Sequence, residues 1–301
     1  VAGGSAAAWL NSMLTNDINK LNVGQGQYSV MLNDRAGVID DLILYRMEPE
    51  TFFVVVNASK IDEDFAWLSA HQPAGVTLEN HSDEYVGLAV QGPECGEVFS
   101  RVIPGVELPP RNGISRITAE GTDLIICRTG YTGEDGFEFF CPAKEGVKWF
   151  EAFLGAGAKP CGLGARDSLR LEMCYPLNGS DLSPDKTPLE AGLGFFCALD
   201  TDFIGSDILR EQKANGLSRR LAAIEYTGKG APPRAHYAVH VPGGEAIGKL
   251  TSGVLSPSLM KGIALAYLPA AYAKVGTELE IDVRGRKFPA VVVKKPFYKK
   301  G

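Results

Sequence analysis

The chain has 301 residues, 45% of them hydrophobic and 22% charged, with a net charge of −6 and a pI near 5.4. That length supports two or three domains with cores of their own, because the buried fraction of the surface rises with size. The acidic balance excludes a broad nucleic-acid footprint, and no apolar run reaches the roughly 18 residues that a bilayer crossing needs.

Taken in chain order, the first segment reads as a helix with Ser5 at its N-cap and Leu10, Met13 and Leu14 on one face. Strands follow at 28–32 and 38–46, joined by the turn cluster Asn33-Asp34-Arg35-Ala36-Gly37. A buried strand at 52–56, a helix at 61–70 and a strand at 85–90 complete a first lobe, and Pro109-Pro110-Arg111-Asn112-Gly113 marks a boundary. Strands at 114–119, 123–128 and 137–141 then precede helices at 144–154 and 165–173. From Leu221 the chain is β-rich, with strands at 221–226, 246–251, 263–268, 279–283 and 290–293. The expectation is an α+β protein, mostly antiparallel, divided as 1–108, 109–215 and 216–301.

Six cysteines, at 95, 127, 141, 161, 174 and 197, contain no C-x-x-C pair, so they read as small buried thiols of a reducing compartment. His236 and His240 flank a short strand, where an i, i+4 pair stands about 13 Å apart, too far to share a metal. No metal site is expected. The basic run Lys294, Lys295, Lys299 and Lys300 reads as a solvated tail. A chain that begins at Val1 without a methionine reads as a processed or truncated form, and no signal or transit peptide is visible.

Chemistry is best sought in Gly37-Val38-Ile39-Asp40-Asp41-Leu42-Ile43-Leu44-Tyr45. Strand side chains alternate faces, so Asp40 goes with Val38, Leu42 and Leu44, and Asp41 with Ile39, Ile43 and Tyr45. Both faces are largely apolar, so at least one carboxylate points into a low-dielectric region and must be paired, hydrogen-bonded or functional. If Asn33 pairs with Val38, Tyr28 and Tyr45 flank Asp41; a one-residue slip brings Asp40 to that face instead. From the hairpin alone, a ligand site and a pair of strand-start aspartates bonded to turn amides both remain open.

Three further stretches stand out. In Arg128-Thr129-Gly130-Tyr131-Thr132-Gly133-Glu134-Asp135-Gly136, glycines at spacing three allow a tight backbone path close to a ligand, although a plain hairpin turn accounts for them too. Glu138 sits among Phe137, Phe139 and Phe140 and needs a partner if buried. Gly162-Leu163-Gly164-Ala165 lacks the third glycine of a dinucleotide fingerprint, which rules that reading out. On the helix that follows, Arg170 reads as a structural ion pair with Asp167 or Glu172, and Arg166 stays open.

Ordered blocks along nearly the whole chain resemble the aminomethyltransferase (glycine cleavage T-protein) family. They include Leu14-Thr15-Asn16-Asp17, the Asp40-Asp41 strand, Val55-Val56-Asn57-Ala58, Val90-Gln91-Gly92-Pro93 and the 128–134 loop. Lys159-Pro160-Cys161-Gly162-Leu163-Gly164-Ala165-Arg166-Asp167, Asp202-Phe203-Ile204-Gly205, Thr251-Ser252-Gly253 and Pro296-Phe297 continue the match. The resemblance implies a three-domain cloverleaf of antiparallel sheets with flanking helices around a central folate cavity, ending in a β-barrel-like domain. It implies tetrahydrofolate as one-carbon acceptor and a lipoylated carrier (H-protein) as partner, in the bacterial cytoplasm or the mitochondrial matrix. It makes Asp41 the key catalytic aspartate and places Tyr28, Tyr45, Asn57, Tyr131, Glu138, Arg166 and Tyr175 around the folate, with Glu138 on the amino edge of the pterin. The family carries an additional N-terminal segment with an F-D-x-S-H stretch, and this chain starts after it. Two other outcomes fit the same scaffold: a folate-dependent demethylase of a sulfonium, N-methyl or O-methyl donor, and a non-catalytic folate binder. The latter carries K-G-C-[FY]-x-G-Q-E where this chain reads Asp-Phe-Ile-Gly-Ser-Asp from 202.

Overall fold

The computed structural model describes residues 1–299, so Lys300 of the expected basic tail lies outside them. The chain divides into two compact units. The first comprises Val1–Met31, Asp40–Gly162 and Asp200–Phe203; the second comprises Leu32–Ile39, Leu163–Leu199 and the chain from Ile204 onward.

In the first unit, α1 (Ala6–Met13) buries Ala6, Trp9, Leu10 and Met13, spaced for one helical face. Ser5 occupies its N-cap position but makes no side-chain cap. Strands β1 (Gly26–Leu32), β2 (Val38–Glu48) and β3 (Thr51–Val55) form a three-stranded sheet in that order. Helix α2 (Ile61–Ala70) follows, then β4 (Tyr85–Gln91), α3 (Cys95–Val102), β5 (Ile114–Ala119), β6 (Thr122–Cys127), β7 (Gly136–Pro142) and α4 (Gly146–Gly155). The four strands of this group pair antiparallel in the order β4-β7-β6-β5. Because β4 pairs with β7, the boundary expected at 108/109 passes between partner strands of one sheet. Turn-rich composition marks a break in local structure; it carries no information on long-range pairing.

Alternation gives this second sheet two uses. Leu124, Ile126, Phe137, Phe139 and Cys141 bury against Phe99 of α3 and Trp149 and Phe153 of α4. On the opposite face, Ile125, Cys127 and Phe140 pack with Tyr45, Ile43 and Phe53 of the three-stranded sheet. The two sheets thus share a layer of apolar side chains, and the site described below is built at its polar margin.

The second unit carries α5 (Leu163–Glu172), α6 (Pro188–Ala191), α7 (Ser206–Asn215) and β8 (Arg219–Tyr226) to β13 (Arg286–Val293). Between those strands lie β9 (Ala238–His240), β10 (Ala246–Ser256), β11 (Lys261–Pro269) and β12 (Glu278–Val283), and the six close into a barrel in the order β10-β11-β8-β13-β12-β9. Closure removes free sheet edges. Ala222, Ile224 and Tyr226 face the interior with Ala264, Ala266 and Leu268, while Leu221, Ala223, Ile263, Leu265 and Tyr267 face outward beneath Leu171 of α5. Strand β11 is therefore buried on both faces, which is why it reads as a continuous apolar run.

Arg170 ties α5 to this barrel. Only 2% exposed, it donates to Asp167 (2.8 and 2.5 Å), to Asp181 (2.8 Å) and to Ser252 of β10 (2.9 Å). The structural role expected for Arg170 is what the geometry shows, with Asp167 as one partner. Glu172 is engaged elsewhere, accepting from Ser256 (2.5 Å) and Ser258 (2.8 Å). Five cysteines are buried and Cys161 is exposed, all with free thiols. Lys295, expected in solvent, is half-buried, and loss of water lowers its ammonium pKa against the smaller opposing effects of Cys174 and Asp181. No described helix is long and apolar enough to cross a membrane.

Candidate active site

The site begins with the two aspartates of β2, which have different environments. Asp40 is fully buried and accepts from the Asn57 backbone N–H (3.0 Å) and side-chain amide (2.8 Å). Asp41 keeps part of its surface accessible. It accepts from the Tyr28 hydroxyl at 2.9 Å and from Asn57 Nδ2 at 3.2 Å, while its carbonyl also accepts from that amide at 3.0 Å. Asn57, just beyond β3, therefore staples both carboxylates to one place.

Burial and the neighbouring Asp40 charge push the Asp41 carboxyl up to about 6, and the Tyr28 and Asn57 hydrogen bonds hold it from rising further. It remains an anion at neutral pH, less well solvated than an ordinary carboxylate. The Tyr28 phenol is raised as well: burial first, then Asp41, keep it protonated, so it stays a donor, and Tyr131 is near enough to add to that shift.

Tyr45 departs from expectation. Its side chain is 0% exposed, and its hydroxyl goes to Thr129 Oγ1 at 2.5 Å rather than to Asp41. On one face of a strand, positions 41 and 45 are about 13 Å apart, which is why a second phenol does not reach the same acid. Thr129 in turn donates to Glu138 Oε2 at 2.5 Å, so Glu138 on β7 has the partner its apolar neighbours demanded.

The glycine spacing at 130, 133 and 136 also acquires a different cause. A Cβ on Gly130 would lie 1.8 Å from the Gln91 side chain, and one on Gly136 would lie 2.4 Å from it. Gln91 donates to the carbonyls of Thr129 and Phe137 (both 3.2 Å) and accepts from Thr132 (3.3 Å). The close approach seen here is thus to an amide of the chain itself, with Gly133 supplying the left-handed turn at φ 80°.

Tyr28, Asp41, Asn57 and Tyr131 are brought together, and Glu138 is joined to Tyr45 through Thr129, all within the first unit. Arg166, exposed on α5, and Tyr175 belong to the second unit. Thr129, Gln91 and Asp64 are the residues that sequence reasoning missed. Asp64 had a signal: it takes an inward position between Ile61 and Leu68 on α2, where an apolar side chain is the rule.

Asp64 is 1% exposed, and among the described residues no N–H or hydroxyl donor reaches its oxygens; the Asp40 carboxyl is near enough to act on it. Two anions repel strongly in such a place, which favours a proton on Asp64. Burial first, then Asp40, raise its carboxyl well above the ordinary range, with Glu63 adding to the rise and Lys60 opposing it. A carboxyl raised on folding gives stability that is complete below its unfolded pKa, 3.8, and is lost as pH climbs through the folded value. Asp64→Asn keeps a donor toward Asp40 and removes that loss. Urea unfolding at pH 5 and pH 8 tests this: the wild type weakens at the higher pH, and the variant stays level. Equal pH slopes would show that Asp64 is not the proton carrier.

Comparison with known proteins agrees with the architecture. The model of the GCVT N-terminal domain matches residues 1–201, and that of the glycine cleavage T-protein C-terminal barrel domain matches residues 219–299. The chain belongs to the glycine cleavage T-protein family.

Its relatives include the aminomethyltransferases of Bacillus mycoides and Bacillus cereus, each 43% identical over 308 residues, covering 100% of this chain and 84% of theirs. The crystal structure of the glycine cleavage system aminomethyltransferase T from Bartonella henselae is 34% identical with a TM-score of 0.90, covering 99% of this chain and 82% of that one. The chain's enzyme class is theirs, aminomethyltransferase.

Proposed function

We propose that the protein moves the methylene of an aminomethyl group, carried on the dihydrolipoyl arm of a small carrier protein (the H-protein), to tetrahydrofolate, with release of ammonia. The observation that carries this reading is the Asp41 carboxylate, anionic at neutral pH, partly accessible and held between Tyr28 and Asn57. The residues fit a reduced pterin, which presents an array of N–H donors: carboxylates at 41 and 138 are suited to accept from it, and Tyr131 offers a flat face. Arg166 and Tyr175 are further folate-binding residues under this proposal.

Tetrahydrofolate, when bound, supplies the nucleophilic nitrogen that accepts the carbon. The chain's own part is to hold that amine and to stabilise positive charge as it develops nearby. Asp41 does both, since an anion already desolvated and fixed by two hydrogen bonds needs no reorganisation at the moment of reaction.

Purified protein given tetrahydrofolate and the aminomethyl-loaded carrier should release ammonia. Given sulfonium, N-methyl or O-methyl compounds instead, it should not turn over. Turnover of a small methyl donor would move the assignment to a demethylase, and folate binding with no transfer to either would make it a non-catalytic binder.

The pH profile follows from the same carboxylate. Activity needs the anion, so kcat/KM should fall on the acid side with a pKa of about 6. Tyr28→Phe removes a hydrogen bond that favours the anion and should move that limb to higher pH by about one unit. A limb at the ordinary carboxylate value in both proteins would separate Asp41 from the rate.

A further inference from the structure

Glu138 is held by a chain of hydroxyls that begins in the core. Thr129 has a single hydroxyl proton, and it points to Glu138 Oε2 at 2.5 Å. The contact between Tyr45 and Thr129, also 2.5 Å, therefore has the phenol as donor. The order is Tyr45 O–H to Thr129 O–H to the Glu138 carboxylate, each donor polarising the next. Its direction is fixed because a carboxylate at the end can only accept. Burial raises the Tyr45 phenol far above its usual range, with Cys127 and then Glu138 adding to the effect, so the proton stays in place at any working pH.

The relay is anchored at both ends. Tyr45 is fully buried within the layer between the two sheets, beside Ile114, Ile125 and Cys127. The Thr129 carbonyl accepts from Gln91, whose amide is gripped by the glycines at 130 and 136. Glu138 itself stands on β7, paired with Cys127 on one side and Ala89 on the other.

We propose that Thr129 and Tyr45 are positioning residues for Glu138, fixing the carboxylate that reads the amino edge of the pterin. This rests on the proposed folate reading of Glu138. It assigns Tyr45 an indirect role in place of direct contact with the ring.

The test measures binding of two probes, tetrahydrofolate and an analogue lacking the pterin 2-amino group, by titration calorimetry. Wild type should prefer tetrahydrofolate. Thr129→Val should weaken tetrahydrofolate ~10-fold and shrink the preference, because the analogue never used the aligned carboxylate. Thr129→Ser should restore both, and Tyr45→Phe should act in the same direction by about threefold. In turnover the loss should appear in KM for folate and leave kcat nearly unchanged. A merely structural role for Thr129 would weaken both probes equally and overturn the relay. Glu138→Gln separates the two layers of the reading. If it loses the preference while Thr129→Val and Tyr45→Phe keep it, the relay is wrong and the folate reading stands. If Glu138→Gln keeps the preference, Glu138 does not read the amino edge and the relay's function falls with it. Should Thr129→Val fail to fold, Tyr45→Phe decides the matter alone.

Discussion

Asp41→Asn should lower turnover about 10²–10³-fold, measured as ammonia release with tetrahydrofolate and a loaded carrier, while the chain still folds. Asparagine has nearly the same shape: its oxygen, in the place of Oδ1, keeps the Asn57 bond, and its amide, in the place of Oδ2, can donate to the Tyr28 hydroxyl oxygen, so the local geometry survives. What is lost is the charge. In a desolvated site a fixed anion beside a developing cation is worth far more than in water. The same substitution removes a repulsion, since the Asp40 charge is the second cause of the raised Asp41 carboxyl. The thermal midpoint should therefore hold or rise slightly, the usual relation between a strained functional group and stability. Full turnover by Asp41→Asn with a competent carrier would end the catalytic role; a collapse of folding would make it a structural residue instead.

The second large effect is on stability. Arg170→Met should cost about 3–5 kcal/mol, because it leaves the Asp181 carboxylate, 0% exposed, without its guanidinium. Asp181 would retain the Leu177 amide (2.9 Å) and the hydroxyls of Thr251 (2.5 Å) and Ser252 (2.8 Å), which soften the loss without neutralising the charge. Arg170→Met with Asp181→Asn should recover part of it, since the buried charge is then gone. Urea unfolding followed by a probe in the barrel measures both. A cost below ~1 kcal/mol for Arg170→Met would show that the Arg170–Asp181 pair contributes little to stability.

Elements were legible where one signal dominated. Helix α2 runs over the expected 61–70, and β2 extends the expected 38–46 only to Glu48. The helices α3 and α7 and the short α6 went unread. Helix α3 is eight residues with a glycine at its second position, too short for periodicity to show. Helix α6 did carry a local signal, a capping box from Thr187 to Glu190 with Pro188 between them.

The linear chain was enough to place an acid on an apolar strand, to set Asp40 and Asp41 on opposite faces and to flag Glu138 as needing a partner. All three depend on a two-residue period and on the cost of burying charge, both local properties. It could not say that Tyr45 serves Thr129, that the glycines at 130 and 136 make room for Gln91, or that Asp64 is buried near Asp40. Those contacts join residues dozens of positions apart in most cases, through sheet order and the packing of α2. Such proximity is settled by which strands pair and which faces meet, a choice made by the summed burial of a whole core and written in no single motif.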